Sequence, residues 1–189
     1  MDTQPERTAL VLVEMINDVM ADGSPLWVGP TGKDILPALQ RLLGAAREAQ
    51  IPVFFTHLGF DPEDSWISGH GNLTAAVKGT PGDDVIPELA PRPGEIILHK
   101  PRLSCFFATE LDILLRQRGV TRVILGGVAT DVCIATTTAD GVQLGYRVSV
   151  VADCVTAPKP DMHQFGLRQV RRFGGEVISL DDATSLLAS

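Results

Sequence analysis

Continuously apolar runs of strand length alternate along this chain with stretches of helical period, and that alternation constrains its folding more than any other feature. Thr8 to Val13 reads as a buried strand, as do Val53 to Thr56, Glu95 to His99, Arg122 to Gly126 and Arg147 to Val151, with Glu176 to Ser179 a weaker sixth. Most of these runs are apolar throughout rather than at alternate positions. Parallel strands covered on both faces have that pattern. Between them, Ile35, Leu39, Leu42 and Ala46 share one face of a helix from about Asp34 to Ala49, with Pro37 in its first turn. Thr109 as N-cap and Gly119 as stop frame a second helix. Val132, Ala135, Ala139 and Val142 stripe a third that ends near Gly145, and Asp161 is expected to cap a last long helix. Such alternation predicts an α/β fold, a parallel sheet with helices on both faces.

The 189 residues contain no internal repeat or linker, so a single domain over 1–189 is expected. A net charge of −7 supplies no excess of cations for a general nucleic-acid or anionic-membrane partner. A small-molecule substrate fits that balance better. The stretch Arg168 to Arg172 reads as the wet face of a helix. No apolar run approaches the roughly 20 residues of a spanning helix, and the polar start lacks a signal-peptide core. Three cysteines do not make a disulfide framework. The expectation is a reduced, cytoplasmic protein.

In an open parallel sheet, ligands bind beyond the carboxyl ends of the strands. Glu14, Lys100 and the segment Gly126 to Cys133 stand there. Cys133 falls in the first turn of a helix after a Gly-rich strand end. Unpaired N–H groups and the helix dipole favour an anion at such a place, so its thiol pKa is expected to fall. The same N–H groups suit the oxyanion of a tetrahedral intermediate. The alternative is a small buried hydrophobe, which is the reading preferred for Cys105 and Cys154. Glu14 and Lys100 read either as a structural ion pair or as the groups that activate the thiol. Asn17-Asp18 reads as a turn or cap, and Thr130-Asp131 as the cap of the Cys133 helix. His57, Asp61, Asp64 and His70 lie near one another without tight ligand spacing. His99 reads as core or as support for the site, and His163 as part of a solvated helix face. The long irregular stretches Ala21 to Lys33 and Leu58 to Pro93, the second holding Trp66, read as binding loops or surface excursions. Trp27 and Trp66 fit a core or a subunit interface equally. Nucleotide-binding glycine motifs and a G-x-S-x-G elbow are absent from the sequence.

Three motifs, in order, resemble the isochorismatase-like cysteine hydrolases, a group that includes nicotinamidases, N-carbamoylsarcosine amidases and ureido-type amidohydrolases. They are LVLVEMIND (Leu10 to Asp18), HKPRLSCFFATELDILL (His99 to Leu115) and VILGGVATDVCIATTTADGVQLGYRVSVVADC (Val123 to Cys154). The resemblance implies a three-layer α/β/α fold with a six-stranded, mainly parallel sheet. It also implies a triad of nucleophile Cys133, Lys100 and acid Glu14. It implies a cis peptide between Val128 and Ala129, which aims the Ala129 N–H beside that of Cys133 into an oxyanion hole, and a homo-oligomer, dimer or tetramer. Three departures stand out: Glu14 replaces the usual Asp, Ile16 replaces a Gln, and Thr56-His57-Leu58-Gly59 replaces the nicotinamidase metal motif. No metal and no cofactor are expected.

The resulting expectation is a hydrolase cleaving a C–N bond of a small amide, ureide or N-carbamoyl compound through a thioester. His57, Phe60, Trp66, Arg102 and Phe106 are candidates to line its substrate pocket, and Arg102 either clamps a substrate carboxylate or makes a surface ion pair. The rival readings are a non-catalytic oligomeric binding protein of the same fold, a nicotinamidase- or isochorismatase-type hydrolase, and a metal-assisted hydrolase at His57, Asp61 and His70.

Overall fold

The computed structural model describes residues 6–61, 63 and 75–188. In chain order the elements are β1 (Thr8–Val13), α1 (Asn17–Met20), α2 (Thr31–Asp34), α3 (Leu36–Glu48), β2 (Val53–His57), β3 (Ile96–His99), α4 (Leu111–Gln117), β4 (Arg122–Val128), a π-helical turn (Thr130–Ile134), α5 (Ala135–Gln143), β5 (Arg147–Thr156), α6 (Pro160–Arg172), β6 (Glu176–Ile178) and α7 (Leu180–Leu187). The sheet order is β3-β2-β1-β4-β5-β6, with every pairing parallel.

Alternate side chains of β1 point to opposite faces, which splits the interior into two layers. Leu10 and Leu12 pack with Leu39 and Leu42 of α3. Ala9, Val11 and Val13 pack with Leu111 and Leu115 of α4 and with Val170 of α6. Both faces of the strand are dry, which explains its unbroken apolar run. Strand order reverses around β1, whose neighbours are β2 on one side and β4 on the other. A crevice at such a reversal is where α/β sheets place ligands.

Two stretches differ from the sequence expectation. β5 continues to Thr156, five residues beyond Val151, because its register against β4 shifts between Leu125 and Gly127. Gly127 has φ of 112°, and a Cβ there would meet the Val13 carbonyl oxygen at 2.1 Å, so only glycine fits beside β1. Ser179 does not end a strand but caps α7. Its Oγ accepts from Asp182 N at 3.1 Å while the Asp182 carboxylate accepts from Ser179 N at 3.3 Å.

Three expected caps are also displaced. Glu110 rather than Thr109 precedes α4, although the Thr109 hydroxyl accepts from Leu111 N at 3.2 Å. Lys159 precedes α6, with Pro160 as its first residue and Asp161 in the first turn. Ala129 precedes the π-helical turn, and neither Thr130 nor Asp131 occupies the cap. No described helix is long and apolar enough to cross a membrane.

Candidate active site

Glu14 follows β1 with φ of 59°, a left-handed conformation costly for a side chain longer than Gly or Asn. Its Oε2 accepts a hydrogen bond from Leu58 N at 3.2 Å, and its Oε1 lies 2.9 Å from Lys100 Nζ. Lys100, just past β3, is fully buried. Its ammonium donates to the Arg102 carbonyl at 2.9 Å and approaches Cys133 Sγ at 3.5 Å. Three segments far apart in sequence thus deliver an acid, an amine and a thiol to one buried point.

The Val128–Ala129 peptide is cis, as the resemblance implied. The chain then enters the π-helical turn, in which Cys133 is buried. Single π turns within helices recur at functional sites. Gly166 of α6 lies against this turn, where a Cβ would come within 2.5 Å of Thr130 backbone carbon.

Burial pushes the Cys133 thiol up to about 12, against the pull of Lys100. This reverses the sequence expectation of a lowered pKa. Taking a thiolate out of water costs more than the helix start and one ammonium return. Burial also raises the Glu14 carboxyl, opposed by Lys100, His57 and the Leu58 N–H. Burial alone would lower Lys100, but Glu14 and Cys133 outweigh it and hold the ammonium above its usual value. The thiol holds its proton because a surplus negative charge would be stranded in a dry site.

Above the triad is a cavity of about 190 Å³. Glu14, Cys133, Val128, Ala129 and Val132 form its floor. Its walls are Val19 of α1, Leu26 and Val28 of the following loop, Leu58 and Phe60 after β2, Leu103 after β3, and Pro158 after β5. Of the expected pocket residues that the structure describes, only Phe60 lies in this lining. Phe106 is in the core, stacked on Tyr146 with ring centroids 5.6 Å apart, because α4 and α5 close over it. Arg102 stands outside the lining, with Nη1 donating to the Pro101 carbonyl at 2.5 Å. Trp66, Asp64 and His70 lie outside the described residues. Sequence reasoning passed over Leu26, Val28 and Leu103, although apolar residues in otherwise polar loops signal a wall.

His57 is buried behind the cavity. Its Nδ1 lies 2.8 Å from Asp83 Oδ1, and Asp83 Oδ2 lies 3.1 Å from His99 Nε2. The ligand atoms of these three residues lie within 4.8 Å of one another, a donor set able to hold a metal ion. Of the grouping expected from the sequence, His57 with Asp61 and His70, the last lies outside the described residues. Asp61 is exposed and accepts from Glu63 N at 3.0 Å. His163 is half-buried rather than solvated, its Nδ1 2.9 Å from the Thr130 hydroxyl. Asn17 and Asp18 tie loops to the site, Asn17 Nδ2 donating to the Pro81 carbonyl at 2.7 Å and Asp18 Oδ2 accepting from Ala76 N at 2.7 Å. Cys105 is buried, its Sγ 3.1 Å from Thr56 Oγ1, and Cys154 is a core residue.

Comparison with known proteins gives a consistent result. The Isochorismatase domain family profile matches residues 8–182. Ureidoacrylate amidohydrolase RutB of Serratia proteamaculans is 33% identical over 211 residues, covering 98% of this chain and 84% of the relative. An isochorismatase-like hydrolase from Alkaliphilus metalliredigens superposes with a TM-score of 0.88 at 31% identity, covering 95% of this chain and 98% of the other. N-carbamoylsarcosine amidase from Thermoplasma acidophilum gives a TM-score of 0.81 at 30% identity, covering 93% of this chain and 97% of the other.

Proposed function

The chain belongs to the isochorismatase family, and from that premise we propose that it hydrolyses a C–N bond of a small amide, ureide or N-carbamoyl compound through a thioester on Cys133. The observation that carries the reading is the position of the Lys100 ammonium, 3.5 Å from Cys133 Sγ and 2.9 Å from the Glu14 carboxylate, where Glu14 and Cys133 themselves line an otherwise apolar cavity.

Charge balance explains how a thiol with so high a pKa can react. With Lys100 as ammonium and Glu14 as carboxylate, the triad is neutral while the thiol keeps its proton. Losing that proton to bulk water would leave a buried net negative charge, which is what the raised pKa reports. Passing it to Glu14 leaves the triad neutral. The Glu14 carboxylate, held by Lys100, is the acceptor for that transfer.

The thiolate then attacks the substrate carbonyl, and the new oxyanion sits against the backbone amides of Ala129 and Cys133. Collapse of the tetrahedral adduct breaks the C–N bond, and Glu14 returns the proton to the departing nitrogen. Water next gives a proton to Glu14 and attacks the thioester. The acid product leaves and the thiol regains its proton. Lys100 holds Glu14 in place and keeps the site neutral through both halves of the cycle.

The test is ammonia or amine release from a panel of amides, ureides and N-carbamoyl acids by wild type and Cys133→Ala, with mass analysis of quenched turnover. Release that disappears in the variant, with an acyl adduct on Cys133, is expected. An active preparation that never carries an adduct on Cys133 would overturn the mechanism.

A further inference from the structure

We infer that the compound this site takes is a compact, uncharged amide whose non-reacting part is apolar, and that amides or ureides carrying a carboxylate are rejected. This deepens the proposed hydrolase and rests on it. Beyond the reacting floor, the described walls are Leu26, Val28, Leu58, Phe60, Leu103 and Pro158, together with Val19. No Lys or Arg is among the described lining residues.

Among the described residues, two cations lie in the segment that leads to the cavity wall at Leu103, Lys100 and Arg102. Lys100 is already held between Glu14, the Arg102 carbonyl and Cys133. Arg102, the residue the sequence offered as a carboxylate clamp, lies outside the lining. Among the described residues a substrate carboxylate would therefore shed its water into an apolar cavity without a charged partner, and it would face Glu14. Burying an unpaired charge that way is strongly unfavourable. An uncharged alkyl or aryl group in the same place gains by leaving water.

Size sharpens the class. An apolar cavity of about 150 Å³ accepts a benzene molecule. At about 190 Å³, this one holds a single ring or a short branched chain beyond the reacting amide.

The experiment uses two thiol-directed probes of equal warhead, N-propyl chloroacetamide and N-carboxyethyl chloroacetamide, which differ by a methyl against a carboxylate. Their rates at Cys133 are read by peptide mass analysis and normalised to their rates with free cysteine, with Cys133→Ala fixing the assignment. The neutral probe is expected to label Cys133 faster by at least about 100-fold after normalisation. Equal rates, or faster labelling by the carboxylate probe, would overturn the substrate class and leave the hydrolase reading standing. Failure of both probes to label Cys133 in the folded protein would overturn the hydrolase reading, and this inference with it.

Discussion

Lys100 holds its ammonium 2.9 Å from the Glu14 carboxylate at a depth where both side chains are almost wholly removed from water. At such a depth, neither group can lose the other cheaply. The pair therefore has a structural consequence as well as a chemical one.

Lys100→Met removes the cation and strands the carboxylate. Breaking a buried pair from one side costs about 3–5 kcal/mol. The variant is expected to lose stability of that order in denaturant titration and to lose turnover, because an unbalanced Glu14 keeps a proton and cannot take one. Lys100→Arg is not expected to rescue it, since a planar guanidinium does not fit a point-charge site. Unchanged stability in Lys100→Met would show that the pair is not energetically coupled.

Glu14→Gln keeps the side-chain shape and removes the base. General acid–base groups contribute about 10²–10⁴ in rate, and a loss of that size in kcat is expected. The wild-type pH profile carries a second signature. Because burial raises the Glu14 pKa, the acid limb of kcat/KM is expected above the ordinary glutamate value of 4.5. A limb at or below that value would contradict the placement of Glu14 as the base.

The Cys133 thiol makes stability depend on alkaline pH. Its pKa is raised from 9.0 to about 12 by burial, so between those values the folded chain holds a proton that the unfolded chain has released. Stability from this group is complete below pH 9 and is lost as pH rises toward 12, at up to about 1.4 kcal/mol per pH unit. Other groups also titrate in this range, so the quantity to measure is the difference between wild type and Cys133→Ala. Wild type should fall more steeply across the window, and parallel curves would place the thiol in contact with water.

Gly166 supports the turn that carries the nucleophile. In Gly166→Ala the new methyl would lie 2.5 Å from Thr130 backbone carbon and 2.6 Å from Asp131 N, so α6 or the turn must move. A displacement near 1 Å in catalytic geometry costs about 100-fold. We expect a fall in kcat of about 10–100-fold with a cooperative unfolding transition retained. Wild-type kcat would mean that α6 yields and the turn does not depend on it.

Local pattern by itself determined the parallel α/β architecture. The unbroken apolar runs of β1 and β4 follow from burial on both faces, and the reactive residues Glu14, Lys100 and Cys133 could be placed at strand ends because strand direction decides where a site forms. The pattern Ser179-x-x-Asp182 also carried the start of α7, although the strand-like run before it masked the signal. Tertiary structure decided the rest. Phe106 and Phe60 are alike in sequence, yet α4 and α5 bury one against Tyr146 and the loop after β2 sets the other beside the cavity. Asp83 joins His57 and His99 through a contact that no sequence spacing encodes. The largest reversal is Cys133, whose place at a helix start pointed to a lowered pKa while its surroundings raise it. Periodicity and capping depend on neighbours along the chain and can be read from it. Proximity and dielectric depend on which distant segments pack together, and only the folded chain sets them.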